Sequence, residues 1–330
     1  MSRYRRNTAA ILLLVLAACG GEDRPLTFRV GLITPGSIAD AAWNSGAYQG
    51  LGQIRDSLGV EVSHVEAKTP GAQEEALRTY AAQGYDLVFG HGFEFQDMAE
   101  RVSPDYPGTV FIITSGVRAT GMVAPMIFRL EEASYLAGMT AGGMTQSGLI
   151  GFVGGIELPP IKAAYEGWVA GAEAVNSATE ARLIYINTFE DAAAGREAAL
   201  ALIRLGADMI HHNADAAGLG VFQAVKESPN VDAFGANADQ SDLAPEQVLG
   251  SAVIDLPRAF LSVAREVMAG TFEPRVQSFG LASGVIQYVL NPRTAERIPA
   301  ALGERVDAAA DSIAAGLLDP APDRATGAAP

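Results

Sequence analysis

The chain is predicted to be an α/β protein built as two doubly wound lobes with a cleft between them. Three observations lead there. Short apolar runs alternate with amphipathic helical segments along nearly the whole sequence. That alternation runs twice, at about 100 residues per pass, the size of one domain. The 330 residues, 49% of them hydrophobic, suffice for two cores. Helices on both faces of mostly parallel sheets are the economical packing for such a pattern.

In order, Phe28–Ile33 reads as a strand closing at Thr34-Pro35-Gly36. From Asp40 to Leu58, Trp43, Ala47, Leu51 and Ile54 recur at helical spacing. Strand Val60–Val65, helix Ala72–Gln83, strand Asp86–Gly90, helix Phe95–Val102 and strand Val110–Thr114 follow. The second pass has a small-residue helix, Ala133–Met144, and a strand, Ile150–Val153, ending in Gly154-Gly155. It continues with helix Ile161–Val175, strand Arg182–Ile186, helix Ala192–Leu205, strand Met209–His212 and helix Leu219–Lys226. Strands Val231–Gly235 and Gln247–Val253, helix Arg258–Ala269, strand Gln287–Leu290 and an Ala-rich helix, Thr294–Leu317, complete it. The Pro/Ala-rich segment from Asp319 is predicted to be disordered.

The N-terminus carries a different signal. Arg3, Arg5 and Arg6 precede an uninterrupted apolar run, Ala9–Ala18, which ends at Cys19. A basic segment, a short apolar segment and small residues before a cut describe a signal peptide. A run of about 10 residues is half the length of a membrane span. Leu16-Ala17-Ala18-Cys19 resembles the bacterial lipobox, in which the cysteine is lipidated and becomes the first mature residue. Cys19 is the chain's one cysteine, so no internal disulfide and no cysteine-rich zinc site can form. Cleavage removes three of 23 basic residues and no acidic one, taking the net charge from −15 to −18. That balance disfavours nucleic acid, whose phosphates need Lys and Arg.

Signals for chemistry are sparse. The chain has no Gly-x-Ser-x-Gly elbow, no Walker loop and no His-Glu-x-x-His. His211 and His212 are adjacent on a strand and point to opposite faces, so they cannot share a metal. No cofactor or metal is expected, and an enzyme is disfavoured. In a doubly wound sheet ligands sit beyond the carboxyl ends of strands. Aromatic, amide and acid residues collect there: Asp40, Trp43, Asn44, His91, Phe93, Ser115, Phe189, Asn213, Asp215, Asn237 and Asp239. Flat apolar walls with a few orienting polar groups suit a small organic ligand.

Several segments together carry a family resemblance. Asp40-Ala41-Ala42-Trp43-Asn44-Ser45-Gly46-Ala47-Tyr48-Gln49-Gly50 is similar to an Asp-x-x-Phe-Asn-x-x-Ala-x-x-Gly pattern. Phe128-Arg129-Leu130-Glu131-Glu132-Ala133-Ser134-Tyr135-Leu136-Ala137-Gly138 is similar to Phe-x-x-x-Glu-x-x-Tyr-Leu-Ala-Gly. Gly151-Phe152-Val153-Gly154-Gly155 is followed by Gly167-Trp168-Val169-Ala170-Gly171, and Asp239-Gln240 follows a later strand. Residues 27–318 thus resemble the basic membrane protein family of lipoproteins, the nucleoside-binding PnrA type. The resemblance implies a type I periplasmic-binding fold with three crossovers at a hinge, and an ABC permease as partner. The lobes would be 27–126 with about 255–284 and 127–254 with about 285–318, after a signal peptide (1–18) and lipidated tether (19–26), with a tail at 319–330.

It also implies a monomer on the extracytoplasmic face that stacks a purine between Trp43 and Phe189, with Asn44 at the ring edge. Three departures bear on the ligand. The family usually has Asp at Ser115 and at Asn237, and Lys where this chain carries Ile254 or Asp255; these hold the ribose hydroxyls. Asp215 stands in a segment that is otherwise glycine-rich in the family. A site without two carboxylates and an ammonium lacks its strongest diol contacts, so a nucleobase, modified nucleoside or other flat heterocycle is expected. A sugar remains an alternative, since Trp43 could stack on a pyranose; so does a signalling role.

Overall fold

The computed structural model describes residues 27–40 and 42–320. The expected signal peptide, Cys19 and the tether lie outside the described residues, as does the tail beyond residue 320.

The first pass forms β1 (Arg29–Thr34), α1 (Trp43–Leu58), β2 (Glu61–Glu66), α2 (Pro70–Ala82), β3 (Leu87–His91), α3 (Gln96–Val102), β4 (Val110–Thr114) and β5 (Val123–Phe128). The second forms α4 (Leu130–Met144), β6 (Leu149–Gly154), α5 (Pro159–Val175), β7 (Glu180–Tyr185), α6 (Ala192–Arg204), β8 (Met209–Asn213), α7 (Gly218–Lys226), β9 (Asp232–Asn237) and β10 (Val248–Ile254). Then come α8 (Leu256–Met268), β11 (Gln277–Phe279), β12 (Ile286–Leu290) and α9 (Ala300–Ala314). Strands β3 and β4, apolar through Leu87–Phe89 and Val110–Ile113, are buried along their whole length, as expected for central parallel strands covered on both faces.

Two six-stranded sheets result, ordered β11-β5-β4-β3-β1-β2 and β12-β10-β9-β8-β6-β7. The fold is therefore two α/β lobes, and the chain crosses between them three times. It passes from β5 to α4, from β10 to α8, and from β11 to β12. Helix α8 packs Leu256, Phe260 and Val263 into the first lobe's core.

The structure departs from the sequence reading in places. Strands β5 and β11 were not expected: Pro125 interrupts the pattern of one, and the other has three residues. The expected boundary at residue 126 falls inside β5. Strand β12 runs antiparallel to β10, closing an otherwise parallel sheet at its edge. The expected helix Thr294–Leu317 is shorter, because Pro299 is extended (ψ 134°) and α9 starts only after it. Asp319, assigned to a disordered tail, pairs with Arg129 at 3.3 Å.

Gly138 and Gly171, from the segments that carry the family resemblance, serve helix packing. A Cβ on Gly138 would lie 2.1 Å from the Trp168 carbonyl, and one on Gly171 would lie 1.9 Å from the Tyr135 carbonyl. Helices α4 and α5 thus touch backbone to backbone, which any side chain there would prevent. Gly171→Ala should cost roughly 1–3 kcal/mol by overpacking. Urea unfolding of the variant checks it; an unchanged midpoint would show that the helices can separate freely.

Candidate functional site

A cavity of about 560 Å³ lies between the lobes. The first lobe contributes Asp40, Trp43, Asn44, Lys68, Phe93, Glu94, Ser115 and Phe128 to its wall. The second contributes Ile156, Asn187, Phe189, Glu190, Asn213, Asp215, Asn237 and Ile254. At its mouth the Lys68 ammonium spans the lobes, 3.2 Å from Glu66 and 3.5 Å from Glu190.

On the first-lobe side the loop after β1 is organised by Asp40. One carboxylate oxygen accepts the Ala42 and Ser45 N–H groups, at 3.1 and 2.9 Å. The other accepts the Asn44 backbone N–H and the Asn44 side-chain Nδ2, at 2.6 and 2.9 Å. The acid thus satisfies N–H groups left open at the start of α1 and holds the Asn44 amide. The Asn44 carbonyl oxygen Oδ1 is buried without a partner.

Trp43 begins α1 and lies on His91, with ring centroids 4.1 Å apart and planes 24° apart; Phe128 meets it edge-on at 6.0 Å. His91 does not line the cavity, so its expected ligand contact is corrected to support of Trp43. Its Nε2 donates to the Trp43 carbonyl at 3.1 Å, and Nδ1 accepts the Thr114 hydroxyl at 3.0 Å. The neutral ring is thereby fully used, and burial pushes its pKa down to about 3.

On the second-lobe side Asn237 Nδ2 donates to Asp215 Oδ1 at 3.0 Å and contacts Asn213 Oδ1 at 3.4 Å. Burial, the negative charge of Asp40 and, more weakly, that of Glu94 push the Asp215 pKa up to about 8, opposed by the bond from Asn237. Near neutral pH this carboxyl is mostly protonated and can donate as well as accept. Desolvation by the surrounding wall raises the Glu94 pKa too, although the residue is partly open to solvent.

Phe189 rests on Gly155, where a Cβ would lie 2.2 Å from its ring. Gly155→Ala should therefore leave the fold intact but tilt Phe189 and weaken ligand binding several-fold, about 1 kcal/mol, the value of a good aromatic contact. Calorimetry on the variant checks this; unchanged affinity would remove Phe189 from the binding surface.

Asp239 does not join the cavity either. Its Oδ1 accepts from the Ser241 N–H and hydroxyl at 3.0 and 2.6 Å, so it stabilises a turn, beside a separate hinge-side depression with Asp255 and Gln287. Of the two positions considered for the family lysine, Ile254 lines the cavity, whereas Asp255 caps α8 by accepting the Arg258 N–H at 3.0 Å. His211 and His212 point to opposite faces. His211 lies 5.1 Å from Trp168, and His212 lies 5.2 Å from Phe222.

The wall also holds residues the sequence reading missed: Lys68, Glu94, Asn187 and Glu190. Backbone conformation marks several positions at once. Ser115, Asn187, Asp215 and Asn237 all have positive φ, from 47° to 66°. All four line the cavity. Left-handed conformations cost non-glycine residues energy and concentrate at functional sites. Here they turn four polar side chains at strand ends into the cleft.

A family model described as "Bmp: ABC transporter substrate-binding protein PnrA-like" matches residues 27–314. The chain belongs to this family. As a Bmp-family protein it has a substrate-binding rather than an enzymatic role, with a small-molecule ligand and a permease partner implied by membership. The family is extracytoplasmic, and among the described residues no helix is long and apolar enough to cross a membrane. Basic membrane protein A of Borreliella afzelii is 30% identical, covering 86% of this chain and 89% of its own. An ABC solute-binding protein of Aeropyrum pernix is similar in fold, with a TM-score of 0.81 at 22% identity, over 88% of this chain and 92% of that one. A solute-binding protein of Conexibacter woesei has a TM-score of 0.71 at 27% identity, over 88% and 98%.

Proposed function

We propose that this Bmp-family protein is anchored by a lipid on Cys19 and delivers a flat nitrogen heterocycle, a purine base or modified nucleoside, to an ABC importer. The observation that carries the reading is the cavity between the lobes, walled by Trp43 and Phe93 from one side and Phe189 from the other. Rings of that kind stack on a heterocycle and bury much of its surface. Asn44, Asn213 and Asn237, with Asp215, supply donors and acceptors to its edge. A ligand touching both lobes favours the state in which they are together, which is how binding becomes closure.

The ribose contacts of the PnrA type are weakened here. Ser115, Asn237 and Ile254 line the cavity where the resemblance implies two carboxylates and an ammonium. An anionic nucleotide is also disfavoured, since Lys68 is the cavity's one basic residue among those described and it already faces Glu66 and Glu190. A thermal-shift panel of purine bases, nucleosides and hexoses tests the reading. Purine-type ligands should raise the melting temperature, because a ligand of the folded state stabilises it by mass action. A rise with hexoses alone would move the assignment to sugars. Anchoring is tested separately: Cys19→Ala should release the protein from the membrane fraction.

A further inference from the structure

We infer that the cleft selects a cationic aromatic heterocycle, held by the faces of Trp43, Phe93 and Phe189 and by the carboxyl groups of Asp40, Glu94 and Asp215. This rests on the heterocycle reading above and specifies the ligand's charge.

Charge on the cavity wall is one-sided. Asp40, Glu94, Glu190 and Asp215 line it against Lys68. The Lys68 ammonium already lies between Glu66 and Glu190. Among the described residues no basic side chain pairs with the other three acids. Asp40 is stabilised by N–H groups of its own loop, and its charge acts on Asp215, as does that of Glu94. Beside a neutral guest this repulsion keeps Asp215 protonated. A guest with delocalised positive charge relieves it, and its ring meets aromatic faces whose quadrupoles attract cations.

A second observation points to the same guest. Asn44 lines the cavity and is 6% exposed, and its Oδ1 has no hydrogen-bond partner. A buried acceptor left open costs free energy until a donor arrives. A protonated or N-alkylated heterocycle bearing an amino or amide group carries a polarised N–H of that kind. The chain's overall charge of −15 also favours approach of cations.

Asp215 adds a pH signature. The titratable and charged groups that share the cavity with it are Asp40 from the loop before α1 and Glu94 from the turn after β3, which act on it, and Lys68 beyond β2 and Glu190 before α6. His91 behind Trp43 and His212 behind β8 stay neutral, with pKa values of about 3 and 4. Binding a cation favours the ionised carboxylate, so below about pH 8 it must expel a proton from Asp215. Affinity for a cation therefore rises with pH up to that point and then levels, whereas a neutral ligand gains nothing.

The test is calorimetry with two pairs, adenosine against 1-methyladenosine and nicotinamide against 1-methylnicotinamide. In each pair methylation at a ring nitrogen supplies the positive charge at neutral pH. The cation of at least one pair should bind about tenfold or more tightly than its neutral parent, the scale of one pKa unit. Between about pH 6 and pH 8 its affinity should rise about tenfold or more. Asp215→Asn should abolish that rise, and Glu94→Gln should reduce the preference. Equal or weaker binding of the cation in both pairs, including no binding at all, overturns the inference, as does a flat pH profile. Tight adenosine with weak 1-methyladenosine overturns it while leaving the heterocycle reading intact. A preference in the nicotinamide pair with no purine bound supports the charge and removes the purine.

Discussion

Replacing Trp43 by Ala should weaken ligand binding by about tenfold to a hundredfold, the 1–3 kcal/mol that one stacked aromatic contributes in a desolvated site. Trp43 stands between the cavity and His91. Its loss removes the first lobe's flat wall and opens the buried imidazole behind it. The global fold should survive, because the first-lobe core is built from Val30, Leu32, Phe89, Ile112 and Phe260, with Trp43 packed only at its margin. Calorimetry and thermal melting of the same variant separate the two effects. Early melting with aggregation would make Trp43 a core residue.

The second large effect concerns acid. His91, His211 and His212 are fully buried and neutral. Burial lowers their pKa values to about 3, 3 and 4, from 6.5. His211 Nδ1 donates to the Phe234 carbonyl at 3.1 Å, and Nε2 faces the Ser134 hydroxyl at 3.4 Å. His212 Nε2 donates to Gln240 Oε1 at 2.9 Å, an oxygen that also accepts the Ala236 N–H. A second ring proton would bury a charge without a counter-ion. The unfolded chain therefore binds more protons below pH 6.5. Stability contributed by these residues is complete above that value and is lost as pH falls towards 4 and 3. Each histidine contributes up to about 1.4 kcal/mol per pH unit.

Asp215 acts in the opposite sense, because its folded pKa of about 8 exceeds the unfolded 3.8. Its contribution is present at low pH and is lost as pH rises through about 8. Urea midpoints between about pH 7 and pH 5 should fall, and should fall more steeply in Asp215→Asn. Midpoints independent of pH would mean that the imidazoles are solvated.

Much of this architecture was legible because it depends on periodicity. The alternation of apolar runs such as Phe111-Ile112-Ile113 with helical faces such as Trp43, Ala47, Leu51 and Ile54 reflects burial, and burial is local in sequence. Strand β5 is not legible in the sequence because Pro125 breaks its pattern, and β11 is not because its pairing with β5 is a tertiary fact. The strand-end rule brought nine expected residues to one cavity: Asp40, Trp43, Asn44, Phe93, Ser115, Phe189, Asn213, Asp215 and Asn237. It failed for His91 and Asp239. Spacing places a residue at a strand end but does not show whether its side chain meets the cleft, a neighbouring ring or its own turn. The same rule applied to β2 and β7 would have found Lys68 and Asn187. The motif glycines Gly138, Gly167 and Gly171 could be counted in the sequence, but only the α4–α5 contact explains them.

The central claim is that the cleft holds a flat heterocycle between the lobes and has little grip on ribose. Calorimetry with guanine and guanosine, and with hypoxanthine and inosine, tests it most directly. The free base should bind at least as tightly as its ribonucleoside, because Ser115, Asn237 and Ile254 offer the sugar no carboxylate or ammonium. Tight binding of guanosine or inosine with no binding of the free bases would contradict it.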